Sequence, residues 1–422
     1  MKTANYSEGG ISVNRTSPAG SRKIPLGTDV LTAARQRVAD TFDQFERICL
    51  SFSGGKDSTV MLHLAGEEAR KRKRKFSILF IDWEVQYRAT LRHVAAMREQ
   101  YSDCTIHFFH VCLPVTTVNG VSCIKPEWTA WEPGITWVRQ PPEGSITDPT
   151  YFPFYRSRMT FESFVPAFNA WFSQGRRAAT LVGIRADESL NRFLTISSRR
   201  KLRLSPDRPW TTRQKDGDCW SVYPLYDWHV TDIWRFHAMS SLPYNPVYDL
   251  MFRAGVSLSA MRICEPFGPE QRKGLWLYHI LEPETWALAC ERVSGASSGA
   301  RYVRRGRQYF GRQRPEKPPH HSWQSYACFL LDSLPQPVAE HYRTKIAIYL
   351  HWYRVREWPQ GIPDEQEGDT GGRDIPSWRR ICRVILRNDY WCRGLSFSPT
   401  KTHNYLNYMA RLKRQRKEWG LI

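Results

Sequence analysis

Short apolar runs alternate with amphipathic stretches along the first half of the chain. Residues 28–45 carry apolar positions at helical spacing, and Thr28 stands where a helix cap is expected. Apolar runs of strand length follow at Arg47–Phe52, Phe76–Ile81 and Thr105–Leu113, and again from Ala178. This alternation predicts an α/β fold, in which a parallel twisted sheet carries helices on both faces.

Changes in this pattern divide the chain. Residues 1–27, rich in Gly, Ser and basic residues, predict a flexible lead, and residues 28–250 are expected to form the α/β domain. Within it, residues 114–158 are rich in Pro, Trp and Gly, which predicts an insertion or lid. Residues 251–422 are predicted to be a mostly helical C-terminal domain with an exposed basic segment at 301–321.

Composition and charge narrow the class of protein. Hydrophobic residues make up 41% of the chain and charged residues 24%, as in globular proteins. The net charge of +20 favours acidic partners such as nucleotides or nucleic acid, with a solvated basic surface as the alternative. No apolar run approaches the ~18 residues that a membrane span needs. Without such a run or an apolar signal segment, we expect a cytoplasmic protein with no membrane partner.

The sequence SFSGGKDS at residues 51–58 follows the first predicted strand and precedes a predicted helix. Its spacing excludes a Walker A loop and a dinucleotide-binding fingerprint. It retains the physics of an anion site, because Gly54 and Gly55 let the backbone approach a ligand closely. The helix that follows adds free N–H groups at its positive end. We therefore expect a phosphate loop of another type.

Polar side chains of this loop are the candidate ligand contacts. Ser51, Ser53 and Ser58 offer hydroxyl groups next to the glycines. Lys56 supplies a charge that faces either phosphate or solvent. Asp57 is unusual for an anion cradle, and two roles stay open for it: a helix cap or a magnesium contact.

A second polar stretch, GIRADESLNR, follows the strand that begins at Ala178. Gly183 opens it, and Arg185 and Arg192 can meet phosphate or sulfate oxygens in bidentate geometry. Glu188 is placed to orient an arginine. The alternative is a surface salt-bridge cluster. At the end of the second predicted strand, Asp82 is a candidate contact for ribose or metal.

The two motifs resemble known families. The SGGxDS loop resembles that of PP-loop ATP pyrophosphatases, the adenine nucleotide alpha-hydrolase-like superfamily. The GIRADES stretch, YPLYDWHVTDIW and LPYNPVYDLMFRAG are similar to segments of phosphoadenosine phosphosulfate (PAPS) reductases, and GIRADES also to the small subunit of ATP sulfurylase. The resemblance implies binding of ATP or a related adenine nucleotide with Mg²⁺, and cleavage between the α- and β-phosphates. It makes Lys56, Asp57 and Arg185 the candidate catalytic residues and Asp57 the candidate metal ligand.

Departures from these families are equally informative. Thiol-dependent sulfonucleotide reductases carry a C-terminal E-C-G-[IL]-H segment, which this chain lacks. Its ten cysteines include no CxxC pair, which argues against an iron–sulfur branch. Cys264 is a single cysteine, so it is either a nucleophile or a buried structural thiol. PAPS reduction is accordingly disfavoured.

Two segments of the C-terminal half carry a further resemblance: EPFGPEQRKGLWLYHILEPETWALACERVSGASSGARY at residues 265–302 and PSWRRICRVILRNDYWCRGLSFS at residues 376–398. They resemble a family of PAPS reductase-like bacterial and phage proteins of the immunoglobulin-binding regulator A type, whose C-terminal domain is uncharacterised. That resemblance implies a ParB-like protein partner. The segments RRGRQYFGRQR and RICRVILRNDYWCRG mix arginine with aromatic residues, as nucleic-acid contacts do. Two functions follow: an ATP-dependent enzyme, or a nucleotide-sensing DNA-binding regulator without catalysis.

Overall fold

The computed structural model describes residues 26–397 apart from short gaps, and these gaps are 123–124, 199–200, 215–216, 264, 269–273, 298–316, 335, 372–373, 388 and 390–391. Almost all of the predicted flexible lead, most of the basic segment 301–321 and Cys264 therefore lie outside the described residues.

A mostly parallel sheet forms the centre of the described residues, which confirms the predicted α/β class. Its six strands lie in the order β3-β2-β1-β6-β8-β7, and only the β7–β8 pair is antiparallel. The strands are β1 Arg47–Ser51, β2 Phe76–Ile81, β3 Thr105–Val111, β6 Ala178–Val182, β7 Thr211–Arg213 and β8 Cys219–Val222. The sequence pattern missed β7 and β8 because each is only three or four residues long.

The order of the strands reverses at β1. β1 pairs in parallel with both β2 and β6, with Ser51 beside Val182. The chain therefore builds the sheet outward from β1 in one direction through β3 and then in the other through β6. Open α/β sheets bind ligands at this reversal, outside the carboxyl ends of the strands. The loops that follow β1 and β6 leave the sheet here.

Helices connect the strands and continue after the sheet. Those up to residue 292 are α1 Val30–Gln44, α2 Lys56–Arg72, α3 Arg88–Gln100, α4 Phe161–Ser173, α5 Leu190–Ser197, α6 Val230–Ser240, α7 Val247–Arg253, α8 Trp276–Leu281 and α9 Pro283–Arg292. The prediction that Thr28 caps the first helix was wrong. Asp29 is the cap, because one carboxylate oxygen accepts both the Leu31 and the Thr32 N–H at 2.9 Å.

Alternate strand residues face two hydrophobic cores. Leu50 and Ile78 pack with α1 and α2 on one face, whereas Cys49 and Leu79 pack with α4 on the other. The second core also contains buried side chains from beyond residue 250, namely Met251, Met261, Phe267, Leu275, Leu277, Tyr278, Trp286, Ala289, Val293 and Ala296. The predicted domain boundary at 250 stays a prediction, and helices on both sides of it share this core.

The predicted insertion, residues 114–158, contains regular structure and pairs with the end of β3. It contains the antiparallel pair β4 Val115–Val118 and β5 Glu127–Ala130, and Ile146 bridges to Val111 at the end of β3.

The C-terminal region is helical, as predicted. It consists of α10 Trp323–Asp332, α11 Gln336–Arg354 and α12 Trp378–Leu386 around its own apolar cluster. None of the described helices combines the length and the apolar character that crossing a bilayer would require.

Candidate active site

The loop between β1 and α2 has a conformation that requires glycine. Gly54 has φ +70°, and a Cβ added there would lie 3.0 Å from Thr90 Cγ2 and 3.2 Å from Val94 Cγ2. The Asn245 side-chain amide donates to the Gly54 carbonyl at 2.8 Å. The loop therefore lies against α3 and is held from outside by the segment before α7.

Some backbone N–H groups of the loop donate within the protein and others have no acceptor among the described residues. Gly55 N–H donates to Ser53 Oγ at 3.3 Å, and Lys56 N–H donates to the Tyr248 hydroxyl at 3.0 Å. Within the described part of the chain, the N–H groups of Gly54, Asp57 and Ser58 have no acceptor. Free N–H groups at the start of a helix, together with its dipole, form an anion site.

The serine hydroxyls close one side of the loop. Ser53 Oγ and Ser58 Oγ lie 3.0 Å apart, and Ser58 Oγ donates to the Gly55 carbonyl at 3.1 Å. Ser51 is the last residue of β1 and is half-buried. The hydroxyls of Ser53 and Ser58 therefore contact other atoms of the loop, whereas Ser51 belongs to the strand.

An ion-pair cluster centred on Asp57 joins the two motifs. Its carboxylate lies 3.0 Å from Lys56 Nζ and also accepts from Arg185 Nε. Burial alone would raise the pKa of Asp57, but the charges of Lys56 and Arg185 outweigh it and hold that pKa below its usual value. The carboxylate thus stays ionised between two cations.

Lys56 points inward, so the solvent-facing alternative for its side chain was wrong. Its side chain is 5% exposed. The ammonium group donates to the Met261 carbonyl at 3.3 Å and lies 5.7 Å from the centre of the Tyr248 ring. Among the described residues, Asp57 is the only carboxylate that pairs with the Lys56 ammonium group, so this charge stays beside the loop.

Two residues of the second motif, Gly183 and Arg185, contact the same loop. A Cβ on Gly183 would lie 3.0 Å from three backbone atoms of Asp57 and Ser58, so only glycine lets the two loops approach this closely. Arg185 also pairs with Asp187. Glu188 pairs with Arg192 at 2.9 Å and with Arg262. The structure therefore brings Gly183 and Arg185 against the loop 53–58, while Glu188 and Arg192 pair with each other in the segment after β6.

Asp82 is the predicted residue that the structure places elsewhere. Its side chain is fully buried and bonded to His110 Nε2 at 2.9 Å and to Arg139. Burial would raise the pKa of Asp82, but the hydrogen bond from His110 and the charge of Arg139 lower it on balance. These partners belong to β3 and to the insertion rather than to the loop 53–58.

Comparison with known proteins identifies the family of this chain. The chain is 54% identical over 400 residues to the uncharacterized protein YbdN of Escherichia coli K12, across 95% of this chain and 98% of that protein. Residues 47–118 and 165–255 match the phosphoadenosine phosphosulfate reductase domain, and residues 255–361 and 360–405 match a domain of unknown function, DUF3440.

The chain belongs to the PAPS reductase-like family that carries a DUF3440 domain. The PAPS reductase match omits residues 119–164, which lie mostly within the insertion. A more distant relative is sulfate adenylyltransferase subunit 2 of Rhizobium meliloti, 26% identical over 238 residues, or 52% of this chain and 63% of that protein. A PAPS reductase structure from Candida auris covers 55% of this chain and 95% of its own at 14% identity, with a TM-score of 0.30.

Sequence reasoning missed the side chains that hold this PAPS reductase-like loop from the outside. Asn245 and Tyr248 lie in the NPVY segment and contact Gly54 and Lys56, yet that segment looks like ordinary core. Arg262 was missed as well, although it pairs with Glu188. The one available signal was the resemblance of the NPVY segment to the family, which by itself does not identify contacts.

Magnesium does not fit the predicted ligand as the side chain lies here. Each Asp57 oxygen is engaged by a cationic group, Oδ1 by Arg185 and Oδ2 by Lys56. Mg²⁺ needs one or two free carboxylate oxygens in addition to phosphate and water. No step proposed below uses magnesium.

Proposed function

We propose that the chain binds ATP or a related adenine nucleotide at residues 53–58 and acts on the bond between the α- and β-phosphates. The observation that carries the proposal is the meeting of free backbone donors with two cations, Lys56 and Arg185, at the β1–β6 reversal. The relation to sulfate adenylyltransferase subunit 2 and to PAPS reductase domains supports an adenine nucleotide as the ligand.

Different groups of the site would have different roles toward the phosphates. The N–H groups of Gly54, Asp57 and Ser58 would donate to phosphate oxygens, as helix starts do. Arg185 and Lys56 would stabilise the charge that develops when the α–β bond breaks. Asp57 would keep these cations in position before the nucleotide arrives. In this proposal Lys56, Asp57 and Arg185 are the catalytic residues.

The remaining predicted contacts form an outer layer in the proposal. Glu188 would orient Arg192 and Arg262 toward the nucleotide. A metal contact at Asp57 and a ribose contact at Asp82 stay predictions. Either would require existing ion pairs to rearrange.

The acceptor and partner are less closely defined. The net charge of +20 supports an acidic partner, either nucleic acid or an anionic protein. The family resemblance of the C-terminal half suggests a ParB-like protein as the partner. The same charge favours the second candidate function, a DNA-binding regulator that senses a nucleotide without cleaving it. PAPS reduction is the third and is disfavoured by the missing cysteine segment.

Binding and turnover of ATP by the full chain test the proposal. We expect calorimetry to show ATP binding that Arg185→Gln weakens at least tenfold, while Arg88→Gln, in an exposed ion pair, leaves it unchanged. Release of pyrophosphate and AMP, alone or with duplex DNA or a ParB-like protein added, would support the enzyme. Absence of ATP binding, or equal binding by both variants, would refute the nucleotide site.

A gel-shift measurement separates the two functions. DNA binding that changes with ATP in the wild type and loses this response in Asp57→Ala, without pyrophosphate release, would favour the sensing regulator. DNA binding that is absent throughout, together with pyrophosphate release, would favour the enzyme. Steep weakening of DNA binding with salt is expected if basic residues contact phosphates.

A further inference from the structure

A second cluster of chemically active side chains lies at the carboxyl ends of β2 and β3, outside the loop 53–58. One ligand atom each from Asp82, His110 and Cys112 lies within 4.8 Å of the other two, and all three residues are buried. Asp82 follows β2 directly, and Cys112 follows β3 directly. Since β2 and β3 are parallel neighbours, the fold itself brings the three side chains together.

The atoms of this cluster are close to the spacing that a metal ion requires. His110 Nε2 and Asp82 Oδ2 are 2.9 Å apart and share a proton. Tetrahedral zinc holds such nitrogen and oxygen ligands at ~2.0–2.2 Å, which places them roughly 3.3 Å apart. A metal that replaces the shared proton therefore needs the pair to separate by a few tenths of an ångström. Cys112 completes the set by a small side-chain movement.

Surrounding groups already orient the carboxylate. Asp82 Oδ1 accepts from Arg139 and from the Glu84 N–H at 3.0 Å. The Trp131 indole donates to the Asp82 backbone carbonyl at 2.6 Å. Oδ2 alone is then directed at His110. Metal-binding carboxylates are commonly held in this way by outer hydrogen bonds.

One residue of the cluster, His110, borders a cavity. His110 lines a cavity of about 350 Å³ between α3 and Pro142 and Glu143 of the insertion. Arg98 and Ser102 supply polar groups to the same cavity. Three protein ligands with an accessible fourth position are the arrangement of metal sites that carry a water or a substrate. Of the three residues, His110 alone lines this cavity, so a fourth ligand would reach the metal from the His110 side.

We propose that Asp82, His110 and Cys112 bind a zinc-class transition metal, with water or a small ligand in the fourth position. Imidazole and thiolate ligands favour such metals over Mg²⁺ or Ca²⁺. On binding, Cys112 loses its thiol proton to solvent. His110 keeps one proton, which moves from Nε2 to Nδ1. The carboxylate and thiolate charges balance the ion, and Arg139 stays on Oδ1.

The competing explanation is a purely structural ion pair between Asp82 and Arg139, with Cys112 as an ordinary buried thiol. The two explanations differ in one respect: only the metal site needs the sulfur atom. Cys104 offers a matched control, because it is buried just before β3, as Cys112 is just after it.

Metal titration of the full-length chain decides between them. After removal of metal with a chelator, we expect the wild type and Cys104→Ser to take up one tightly held zinc ion, measured by competition with a chromophoric chelator. Cys112→Ser and His110→Gln should bind it at least tenfold more weakly. With Co²⁺, a thiolate-to-metal charge-transfer band should appear in wild type and be missing in Cys112→Ser.

Folding of each variant is checked by circular dichroism, and Cys112→Ala serves if Cys112→Ser fails to fold. No tight zinc in wild type, or equal zinc affinity with Cys112 replaced, would overturn the proposal. Because Cys112 belongs neither to the loop 53–58 nor to the predicted nucleotide contacts, ATP binding should be the same for wild type and Cys112→Ser. A negative result for one site therefore leaves the other standing.

Discussion

Arg185 donates from Nε to the Asp57 carboxylate across 128 residues of sequence, and this ion pair joins the loop after β1 to the loop after β6. Asp57 also pairs with Lys56 at 3.0 Å. One carboxylate therefore keeps two nearly buried cations, whose side chains are 4% and 5% exposed, in place before any ligand arrives. The net charge beside the loop therefore depends on Asp57 offsetting one of these two cations.

Removal of that carboxylate charge should destabilise the fold. Asp57→Asn leaves two cations facing each other with little solvent, so we expect the free energy of unfolding to fall by about 3 kcal/mol. Urea denaturation measures it. Asp103→Asn is the control, since its pair with Arg70 is exposed and should contribute about 0.5 kcal/mol.

The same variant should respond more strongly to anions. Sulfate or ATP in the urea experiment should restore part of the lost stability of Asp57→Asn, because an anion bound to the native state stabilises it. An Asp57→Asn protein as stable as wild type would show that the ion pairs contribute nothing.

A methyl group at Gly183 should disrupt the loop without unfolding the sheet. The added Cβ would meet Asp57 and Ser58 backbone atoms at 3.0 Å, so the start of α2 must move. We expect Gly183→Ala to weaken ATP binding at least tenfold in calorimetry. Gly134→Ala, whose methyl meets nothing within 4 Å but whose φ is +78°, controls for general backbone strain. Unchanged ATP affinity would mean that the two loops do not need this approach.

Loss of one hydroxyl should tighten nucleotide binding. Tyr248 accepts the Lys56 N–H at 3.0 Å, which occupies a donor that phosphate could use. In Tyr248→Phe that N–H lacks its partner until a phosphate arrives, and an unsatisfied buried donor costs about 1–3 kcal/mol. ATP affinity should therefore rise severalfold. Weaker binding by Tyr248→Phe would instead indicate that the hydroxyl contacts the nucleotide.

Much of the fold could be predicted from local pattern, and the reasons are visible in particular elements. β2 lies at Phe76–Ile81 as predicted, because a buried parallel strand is a continuous apolar run. The pattern predicted no strand at β8, Cys219–Val222. Its four residues carry too little pattern, and its place in the sheet depends on pairing with β6.

The site was predictable only where local sequence determines local structure. The turn at Gly54 and the helix start at Lys56 follow from SGGKDS itself. The contact of Tyr248 with Lys56 spans 192 residues, and no spacing rule reports it. Asp82 illustrates the converse, because its position after β2 was predicted while its partners, His110 and Arg139, come from distant segments.

Acid should destabilise the fold through a buried histidine. Burial lowers the pKa of His63 to about 4, whereas an unfolded histidine titrates near 6.5. The unfolded state thus binds the proton first. The stability that neutral His63 contributes is complete above about pH 6.5 and is lost as pH falls toward 4, in total about 3 kcal/mol.

Urea denaturation across this pH range tests that expectation. His63→Gln should lose this part of the pH dependence, and His107→Gln, at an exposed position, should keep it. Glu265, whose pKa burial raises to about 7, acts with opposite sign, and His93, whose pKa burial lowers to about 4, acts with the same sign. Both are present in every variant, so the difference from wild type reports His63 together with its charge coupling to His93. Parallel pH curves for wild type and His63→Gln would contradict the assignment.

Helix α9, which lies in the region matched by the DUF3440 domain, should stabilise the carboxyl end of β2. Arg292 donates to both oxygens of the fully buried Glu84 at 3.1 and 3.2 Å. Breaking this pair by Arg292→Met leaves a buried carboxylate without its cation, so we expect a loss of about 3–5 kcal/mol. Urea denaturation measures it, and Arg88→Met in the exposed pair with Glu284 is the matched control.

Hydrogen exchange locates the effect of Arg292→Met. If α9 and the sheet unfold together, amides of β2 and β3 should exchange faster in Arg292→Met and at the wild-type rate in Arg88→Met. Faster exchange confined to α8 and α9 would instead mean that these helices open on their own. In that case the shared core would not couple the region after residue 255 to the sheet, and the two family regions would behave as separate folding units despite their contacts.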